Sequence, residues 1–284
     1  MRIPGICGVA VPFLWVVTSV ASAADTATAV FVQVDPPLPP DTVLELHQDT
    51  LQPGTRDVLI NLFDKYLVEG QEQCGIHVVG QFRDLDNQNR FVWLRSFSSM
   101  ARRPRSLSDF YDGRAWKEHR AIATSTTIDS QNVLLLRPAK LNTAFSSAEI
   151  AVALARRRPP PARGPGLGLI SAHIVYLRTD ARGSFVDFFE HNVRPLHEAA
   201  GAWVIAEYVS EDSVNNFPRL PIRENERVFV WFSRFVNEEA FERYQRHLAA
   251  SKTWSVVNVR LSDWTTRPVE TLRLTPTARS LLHG

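Results

Sequence analysis

The chain repeats itself at two related spacings. The tripeptide Phe-Val-Trp at residues 91–93 recurs at residues 229–231, a spacing of 138 residues. The same spacing relates further pairs, namely Phe97 and Phe235, Trp116 and Trp254, and Pro138 and Pro276. Upstream, a spacing of 126 residues relates His47 and His173, Leu62-Phe63 and Phe188-Phe189, and Gly75 and Gly201. The difference of 12 is one insertion among the loop residues 215–221. A duplicated domain usually packs against its own copy, so we expect a site near a pseudo-twofold axis.

The N-terminus has the pattern of a secretory signal peptide. Arg2 gives a positive start, residues 9–17 are apolar apart from Pro12, and Ala21-Ser22-Ala23 offers small residues for cleavage. A short membrane anchor is the alternative, but the apolar stretch is too short to span a bilayer comfortably. We therefore expect cleavage after Ala23, a secreted or periplasmic protein, and no integral membrane segment in the mature chain.

Cleavage leaves a nearly neutral chain with one thiol. Loss of Arg2 leaves 31 basic against 30 acidic residues, so no global charge favours nucleic acid as a partner. Cys74 then has no partner for an internal disulfide, and the fold must depend on its core. With no neighbouring His or acid to activate it, Cys74 is better read as a buried or incidental thiol than as a nucleophile.

The second copy has the clearer periodicity. Runs rich in β-branched and aromatic residues predict strands at residues 171–177, 203–208, 227–235 and 269–274. Ser184 and Asn237 are good helix N-caps, and apolar residues at helical spacing follow each of them. The predicted order is βαββαβ.

The first copy repeats this order. Strands are predicted at residues 43–50, 76–83, 91–97 and 132–137, and Thr55 is the expected cap of the first helix. The second helix is the weak element, since Pro104 interrupts it, although Leu107 and Phe110 indicate an apolar face. The order βαββαβ is that of the ferredoxin-like unit, a four-stranded antiparallel sheet with two helices on one face.

The central strands of both copies are apolar on both faces. Val92 and Leu94 alternate with Phe91 and Trp93, and residues 228–232 follow the same pattern. Helices cover one face of such a sheet, so the other face must also be buried. The sheet of the other copy is the obvious cover. We therefore predict an α+β fold in which two ferredoxin-like domains form an α/β barrel, with helices outside and a cavity between the sheets.

Several segments carry a family resemblance. They are residues 45–54, 80–82, 92–97 and 112–116 and, more loosely, 229–231 and 252–254. In these segments the chain resembles the NIPSNAP family, a branch of the dimeric α/β-barrel superfamily. The resemblance implies two tandem NIPSNAP-like domains that pair into an intramolecular dimeric α/β barrel. It implies no defined chemistry, because the activity of the family is largely undefined. The chain departs from the family at His47, where Arg is common, and at Thr179-Asp180, where the second copy lacks the Pro-Gly turn.

These patterns divide the chain into six segments. They are a signal peptide (1–23), a Pro-rich segment (24–42), a first domain (43–138), a linker (139–168), a second domain (169–276) and a C-terminal tail (277–284). Ser146 and Glu149 form a capping box for a short helix in the linker. The arginines at 156–158, followed by three prolines, are expected to be solvated.

His47 and His173 are the candidate catalytic residues. They occupy equivalent positions on the first strands of the two copies, so pseudo-symmetry can bring them to one cavity. Histidine titrates near neutral pH and can act as acid, base or ligand. The alternative is an ordinary strand histidine with satisfied hydrogen bonds in each copy. No HxH or HExxH spacing supplies further ligands, so we expect no metal, and no cofactor motif occurs.

A second set of candidates lies on the central strands. Trp93, Arg95, Tyr208 and Trp231 are candidate ligand-binding residues, together with Gln81 and Glu207. If they point into the barrel, they form an apolar pocket with a few polar groups, as ligand sites usually do. If they point toward the helices, they are core residues. The sequence leaves both orientations open.

Three functional hypotheses follow. The first is an exported protein that binds a small apolar molecule between its two sheets. The second is a cofactor-independent oxygenase or isomerase that uses the cavity. The third is an interaction protein without chemistry, whose contacts are made by the Pro-rich residues 36–40 or by the inserted loop.

Overall fold

The computed structural model describes residues 42–160, 162, 164–178 and 182–284. The predicted signal peptide, all but the last residue of the Pro-rich segment, and Thr179-Asp180 lie outside this range. Within it, no helix is both long enough and apolar enough to cross a membrane.

The first half of the fold, residues 43–138, follows the predicted order, with an additional 13-residue helix and a short additional strand before the last strand. Its strands are β1 (Val43–Leu51), β2 (His77–Asp84), β3 (Arg90–Phe97), the short β4 (Thr127–Asp129) and β5 (Val133–Pro138). Its helices are α1 (Arg56–Leu62), α2 (Val68–Glu72), α3 (Arg103–Tyr111) and α4 (Arg114–Thr126), with a π-helical turn at Phe63–Leu67. The expected interruption by Pro104 is wrong. Pro104 lies in the first turn of α3, where its missing N–H leaves no hydrogen bond unmade.

The second half, residues 169–276, repeats these elements except the short strand β4. A connecting helix α5 (Ser147–Ala155) precedes it, capped by Ser146 as predicted. Its strands are β6 (Leu169–Tyr176), β7 (Trp203–Ser210), β8 (Val228–Phe235) and β9 (Glu270–Pro276). Its helices are α6 (Arg182–Phe188), α7 (Arg194–Ala200), α8 (Glu238–Ala250) and α9 (Lys252–Trp264), with a π-helical turn at Phe189–Val193. The two π-helical turns are 126 residues apart, so the repeat extends to local irregularities of the backbone.

Eight of the described strands close into an antiparallel barrel. The strand order is β2-β3-β1-β5 in the first half and β7-β8-β6-β9 in the second, the ferredoxin-like order in both. The halves join where β2 pairs with β9 and β5 pairs with β7. The strand registers of the two halves are equivalent, since His47 faces Trp93 across one strand pair and His173 faces Trp231 across the other.

Apolar side chains of both halves fill the barrel interior. Leu46 and Val92 of the first half meet Ile174 and Val230 of the second in one buried cluster. The prediction of a cavity between the two sheets is therefore wrong. Because the sheet edges pair directly, the inward side chains of all eight strands converge on one axis and occupy it.

The C-terminal tail belongs to this core. Leu281 and Leu282 are buried in the interior cluster. Arg279 forms an ion pair with Glu69 of α2 and also donates to the carbonyl oxygen of Asp64. Residues 277–284 thus close one end of the barrel.

The arginines of the linker differ from expectation at one position. The side chain of Arg157 is 5% exposed and pairs with Glu72, with 2.6 Å between Nη1 and Oε1. It also donates to the carbonyl oxygen of Val78. The prediction that all three arginines are solvated is therefore wrong for Arg157, which ties the linker to the first half.

Candidate functional site

A cavity of about 330 Å³ lies on the helix side of the first half. We refer to it as the helix-side cavity. His47, Asp49 and Trp93 form its floor on β1 and β3. Its walls come from the helices above and from the loop inserted in the second half; they include Leu59, Phe63, Leu67, Gln71, Phe110, Tyr111, Trp116, Ala123 and Leu220. The wall is mostly apolar and aromatic, with a few polar groups on the floor.

Alternation along β1 places three polar side chains on this face. Glu45, His47 and Asp49 are two residues apart, so all three point toward the helices. All three are at least nine-tenths buried. Each buried polar group needs a partner, and the neighbouring strand β3 supplies several of them.

Glu45 lies at the centre of a buried ion triad with Arg95 and Arg103. The Nε atoms of the two arginines lie 2.6 Å from its two carboxylate oxygens, and all three side chains are fully buried. Burial by itself would raise the pKa of Glu45, but the charge of Arg95, the hydrogen bond to His47 and the charge of Arg103 lower it well below its usual value. Glu45 is therefore a carboxylate at all ordinary pH values.

His47 is fixed between Glu45 and Trp93. Its Nε2 atom lies 2.9 Å from Glu45 Oε2, and its ring stacks on Trp93 with 3.8 Å between the ring centroids. Burial lowers the pKa of His47 to about 4, against the opposing effect of the hydrogen bond to Glu45. A neutral imidazole beside a carboxylate donates from Nε2, so Nδ1 carries the lone pair.

Asp49 is the acidic group most suited to proton transfer. Trp93 Nε1 donates to Asp49 Oδ2 at 2.9 Å, and Oδ1 has no hydrogen-bond partner among the described residues. Burial raises the pKa of Asp49 to about 7, although the hydrogen bond from Trp93 opposes this. The carboxyl group can therefore accept or release a proton near neutral pH.

The loop inserted in the second half closes the site of the first. Arg103 Nη1 donates to the side-chain oxygens of Asn215 and Asn216, both at 3.0 Å. Phe217 stacks on Tyr111 with 6.0 Å between centroids, and Leu220 lines the cavity. Residues of both halves therefore form the site, although its floor comes from the first half.

The equivalent region of the second half lacks the ion triad and is packed with larger side chains. At the positions of Glu45, Arg95 and Arg103 it has Ser171, Ser233 and Phe241. At the positions of Leu59 and Ala123 it has Phe185 and Leu261, both buried in the core under α6 and α9.

His173 is enclosed within this second core. Both of its ring nitrogens lie 3.0 Å from hydroxyl oxygens, those of Ser171 and Thr271. Its ring stacks on Trp231 with 4.4 Å between centroids, and His197 packs against it edge-on. The ordinary strand histidine is the better description here, because both nitrogens are satisfied and the ring is covered.

The structure places the candidate residues predicted from the sequence in separate regions of the fold. His47, Trp93 and Arg95 lie together under the first half's helices, whereas His173 and Trp231 lie under those of the second. The prediction of one shared cavity for the two histidines is therefore wrong. Tyr208 points into the barrel interior and does not line the helix-side cavity.

Sequence reasoning missed Glu45, Asp49 and Arg103 as members of the site. The alternation of polar residues at 45, 47 and 49 carried a usable signal, since three polar residues of equal parity share one face of a strand. Arg103 carried no such signal, because its role depends on where α3 begins.

Two further arrangements bear on ligand binding. Among the described residues, no group of three or more His, Cys, Asp or Glu side chains is placed to hold a metal ion. A larger open depression of about 810 Å³ lies between α5 and the C-terminal tail. Its lining is mainly apolar side chains and arginines, and His283, whose pKa is lowered by burial, is only partly buried there. The helix-side cavity is lined by His47 and Asp49, two buried titratable groups with shifted pKa values. We place the candidate site in the helix-side cavity for that reason.

The first half of the chain matches a known protein family. Residues 44–142 match the NIPSNAP protein family. The NIPSNAP match thus covers the half that holds the helix-side cavity, including β1, β3, α3 and α4. No functionally curated protein shows significant sequence similarity to the chain.

Solved structures share the fold. One is a "putative monooxygenase" from Fusobacterium nucleatum subsp. nucleatum, with a TM-score of 0.53 and 9% identity over 84% of this chain and 93% of that one. Another is an anthrone oxidase-like protein, with a TM-score of 0.50 and 10% identity over 86% and 97%. Both likenesses concern the fold, which is the dimeric α/β barrel realised here within one chain.

Proposed function

We propose that the first half binds a small, flat, mostly apolar molecule in the helix-side cavity. The observation that carries this proposal is an aromatic-walled cavity of about 330 Å³ with two buried titratable groups, His47 and Asp49, on its floor. Apolar concave sites with a few placed polar groups are the usual form of small-molecule sites. The proposed site differs from the one expected from sequence, which lay between the two sheets.

The experiment uses the two equivalent tryptophans as matched probes. The purified protein is titrated with 2-naphthamide, a naphthoquinone, palmitate and haem while tryptophan fluorescence is followed. Binding in the helix-side cavity predicts saturable quenching that is largely lost in Trp93→Phe and retained in Trp231→Phe. Equal quenching in both variants, or none across the panel, would contradict the proposal.

A second function is favoured by the protonation state of Asp49. A carboxyl group with a pKa of about 7 beside a neutral imidazole is suited to removing a proton from a bound molecule. Such a step begins both isomerisation and cofactor-independent oxygenation, in which the resulting carbanion reacts with oxygen. The charged Arg95 and Arg103 nearby favour the anion that is formed.

Hydrogen exchange tests this second function without knowledge of the full reaction. A bound carbonyl compound with an acidic C–H bond is incubated with the protein in D₂O, and deuterium incorporation is followed by NMR. Exchange is expected to be faster with the wild-type protein than with Asp49→Asn at equal occupancy. Equal exchange rates would remove Asp49 from proton transfer.

The inserted loop does not favour the interaction hypothesis. Asn215, Asn216, Phe217 and Leu220 are all engaged with the first half, and so this part of the loop is committed within the chain. Residues 36–40 lie outside the described residues.

We further propose that the second half is a diverged NIPSNAP-like copy and that the protein is exported. The equal strand registers and the paired π-helical turns support the first proposal. The N-terminal pattern supports the second, and N-terminal sequencing of the secreted or periplasmic protein tests it. The expected first residue is Ala24, and retention of residues 1–23 would contradict cleavage.

A further inference from the structure

The buried ion triad holds more positive than negative charge. Two fully buried guanidinium groups, those of Arg95 and Arg103, share the single carboxylate of Glu45. Their other contacts are neutral: Arg95 Nη1 donates to Gln71 Oε1 at 3.1 Å, and Arg103 Nη1 donates to Asn215 and Asn216. An uncompensated buried charge is costly unless something opposes it.

The hydrogen-bonding capacity of the two arginines is also incomplete. The Nη2 atoms of Arg95 and Arg103 are buried and have no hydrogen-bond partner among the described residues. Buried donors of this kind are rare in native structures and call for an explanation. The positive charge of the two arginines is therefore incompletely matched within the cluster.

The triad lies directly behind the wall of the helix-side cavity. The guanidinium carbon of Arg95 is 5.1 Å from the ring centroid of Trp93 and 5.9 Å from that of Tyr111, and both rings line the cavity. Gln71, the neutral partner of Arg95, lines it as well. A charge at this depth acts on a cavity occupant through a poorly screened interior.

The acidic groups near the cavity offset this charge only in part. Asp129 lies at the rim and is exposed to solvent, which screens it. Asp49 lies on the floor, and burial raises its pKa to about 7, so an anion in the cavity would favour its neutral form. The second half has no counterpart to the triad, since Ser171, Ser233 and Phe241 stand at the three positions.

From these contacts we propose that the molecule bound in the helix-side cavity is an organic acid: a flat apolar body bearing one carboxylate or an ionised hydroxyl group. This inference rests on the proposed function and names its ligand class. The ion triad acts as a positioning and specificity group behind the cavity wall. The apolar wall holds the body of the ligand, and the excess charge selects for its anionic group.

The experiment compares two probes of the same shape, 2-naphthoate and the neutral 2-naphthamide. At pH 7 and moderate salt, the wild-type protein is expected to bind naphthoate about tenfold or more tightly, a difference of about 1.4 kcal/mol. The preference should change little between low and high salt, because the charges are buried. Equal affinities, or a preference for the amide, would overturn the inference. Failure of both probes to bind would instead overturn the proposed function.

Two variants separate charge selection from a structural role. In Glu45→Ser/Arg95→Ser/Arg103→Phe, which carries the residues of the second half, the ratio of the two dissociation constants should fall to about 1. In Glu45→Gln, which removes the negative charge alone, the ratio should rise above that of the wild type. A purely structural triad would weaken both probes equally in each variant. If a variant does not fold, the salt-independent preference of the wild-type protein still decides the matter.

Discussion

His47 stacks on Trp93 with ring centroids 3.8 Å apart and ring planes inclined by 17°. His173 and Trp231 form the same stacked pair in the second half. The two pairs differ in what surrounds them. The first has a carboxylate, two arginines and a cavity, while the second has hydroxyl groups and larger apolar side chains. The same stacked pair of rings therefore belongs to a candidate site in the first half and to an ordinary hydrophobic core in the second.

The ion triad should be less costly to replace as a whole than to break. Glu45→Ser leaves two buried guanidinium groups without a counter-ion and is expected to lower the free energy of unfolding by about 3–5 kcal/mol. The triple variant with Ser, Ser and Phe at positions 45, 95 and 103 removes those charges as well. It should be more stable than Glu45→Ser alone in urea denaturation. A triple variant that is less stable would show that the arginines do not depend on Glu45.

Asp49 should titrate near neutral pH within the folded protein. Because Trp93 Nε1 donates to its carboxyl group, tryptophan fluorescence should change with a midpoint near pH 7. Asp49→Asn should abolish this transition. A raised carboxyl pKa means that stability is lost as pH rises from about 4 to about 7. Asp49→Asn should therefore gain stability relative to the wild type across this range, and a constant difference would contradict the assignment.

Buried neutral histidines should make the protein sensitive to acid. Burial lowers the pKa of His197 to about 4, while the unfolded chain titrates near 6.5. Its contribution is therefore complete above pH 6.5 and is lost as pH falls toward 4. His197→Gln should be less stable than the wild type at pH 7, and the gap should narrow by about 3 kcal/mol at pH 4. Urea denaturation at several pH values checks this, and a pH-independent gap would contradict it.

The C-terminal tail should contribute to the core. Leu282→Ala creates a cavity in the barrel interior and is expected to lower the free energy of unfolding by about 2–5 kcal/mol. Leu167→Ala is the control, since that side chain is 79% exposed. It should change stability by less than about 0.5 kcal/mol. Equal effects would show that residues 277–284 do not close the barrel.

The repeat predicted most of the fold. Equal spacing matched the elements of one copy with those of the other, and the apolar character of both strand faces required a second cover for each sheet. The position of the cavity, in contrast, could not be predicted from the sequence. Parity shows that Trp93 and Leu94 point to opposite faces, but both faces are apolar, and so the residues do not indicate which face leaves space. The location of the space depends on the volume of the side chains at Leu59 and Ala123. These residues are informative only when they are compared with Phe185 and Leu261, the bulkier residues at the equivalent positions of the second half.

The triad was beyond sequence reasoning for a related reason. Glu45 and Arg95 face each other once the strand register is known, but Arg103 enters from α3 and Asn215 from a loop of the other half. Such contacts depend on the docking of elements far apart in the chain, and no local pattern specifies them.

The central claim is that the helix-side cavity of the first half binds the ligand, and filling that cavity tests it most directly. Ala123→Leu introduces the residue that the second half has at this position, and Ile122→Leu, next to it on the exposed side of α4, is the control. The dissociation constant of 2-naphthoate is measured for both variants by tryptophan fluorescence. The account predicts at least about tenfold weaker binding for Ala123→Leu and no change for Ile122→Leu. Equal dissociation constants, or no saturable binding by the wild-type protein, would contradict it.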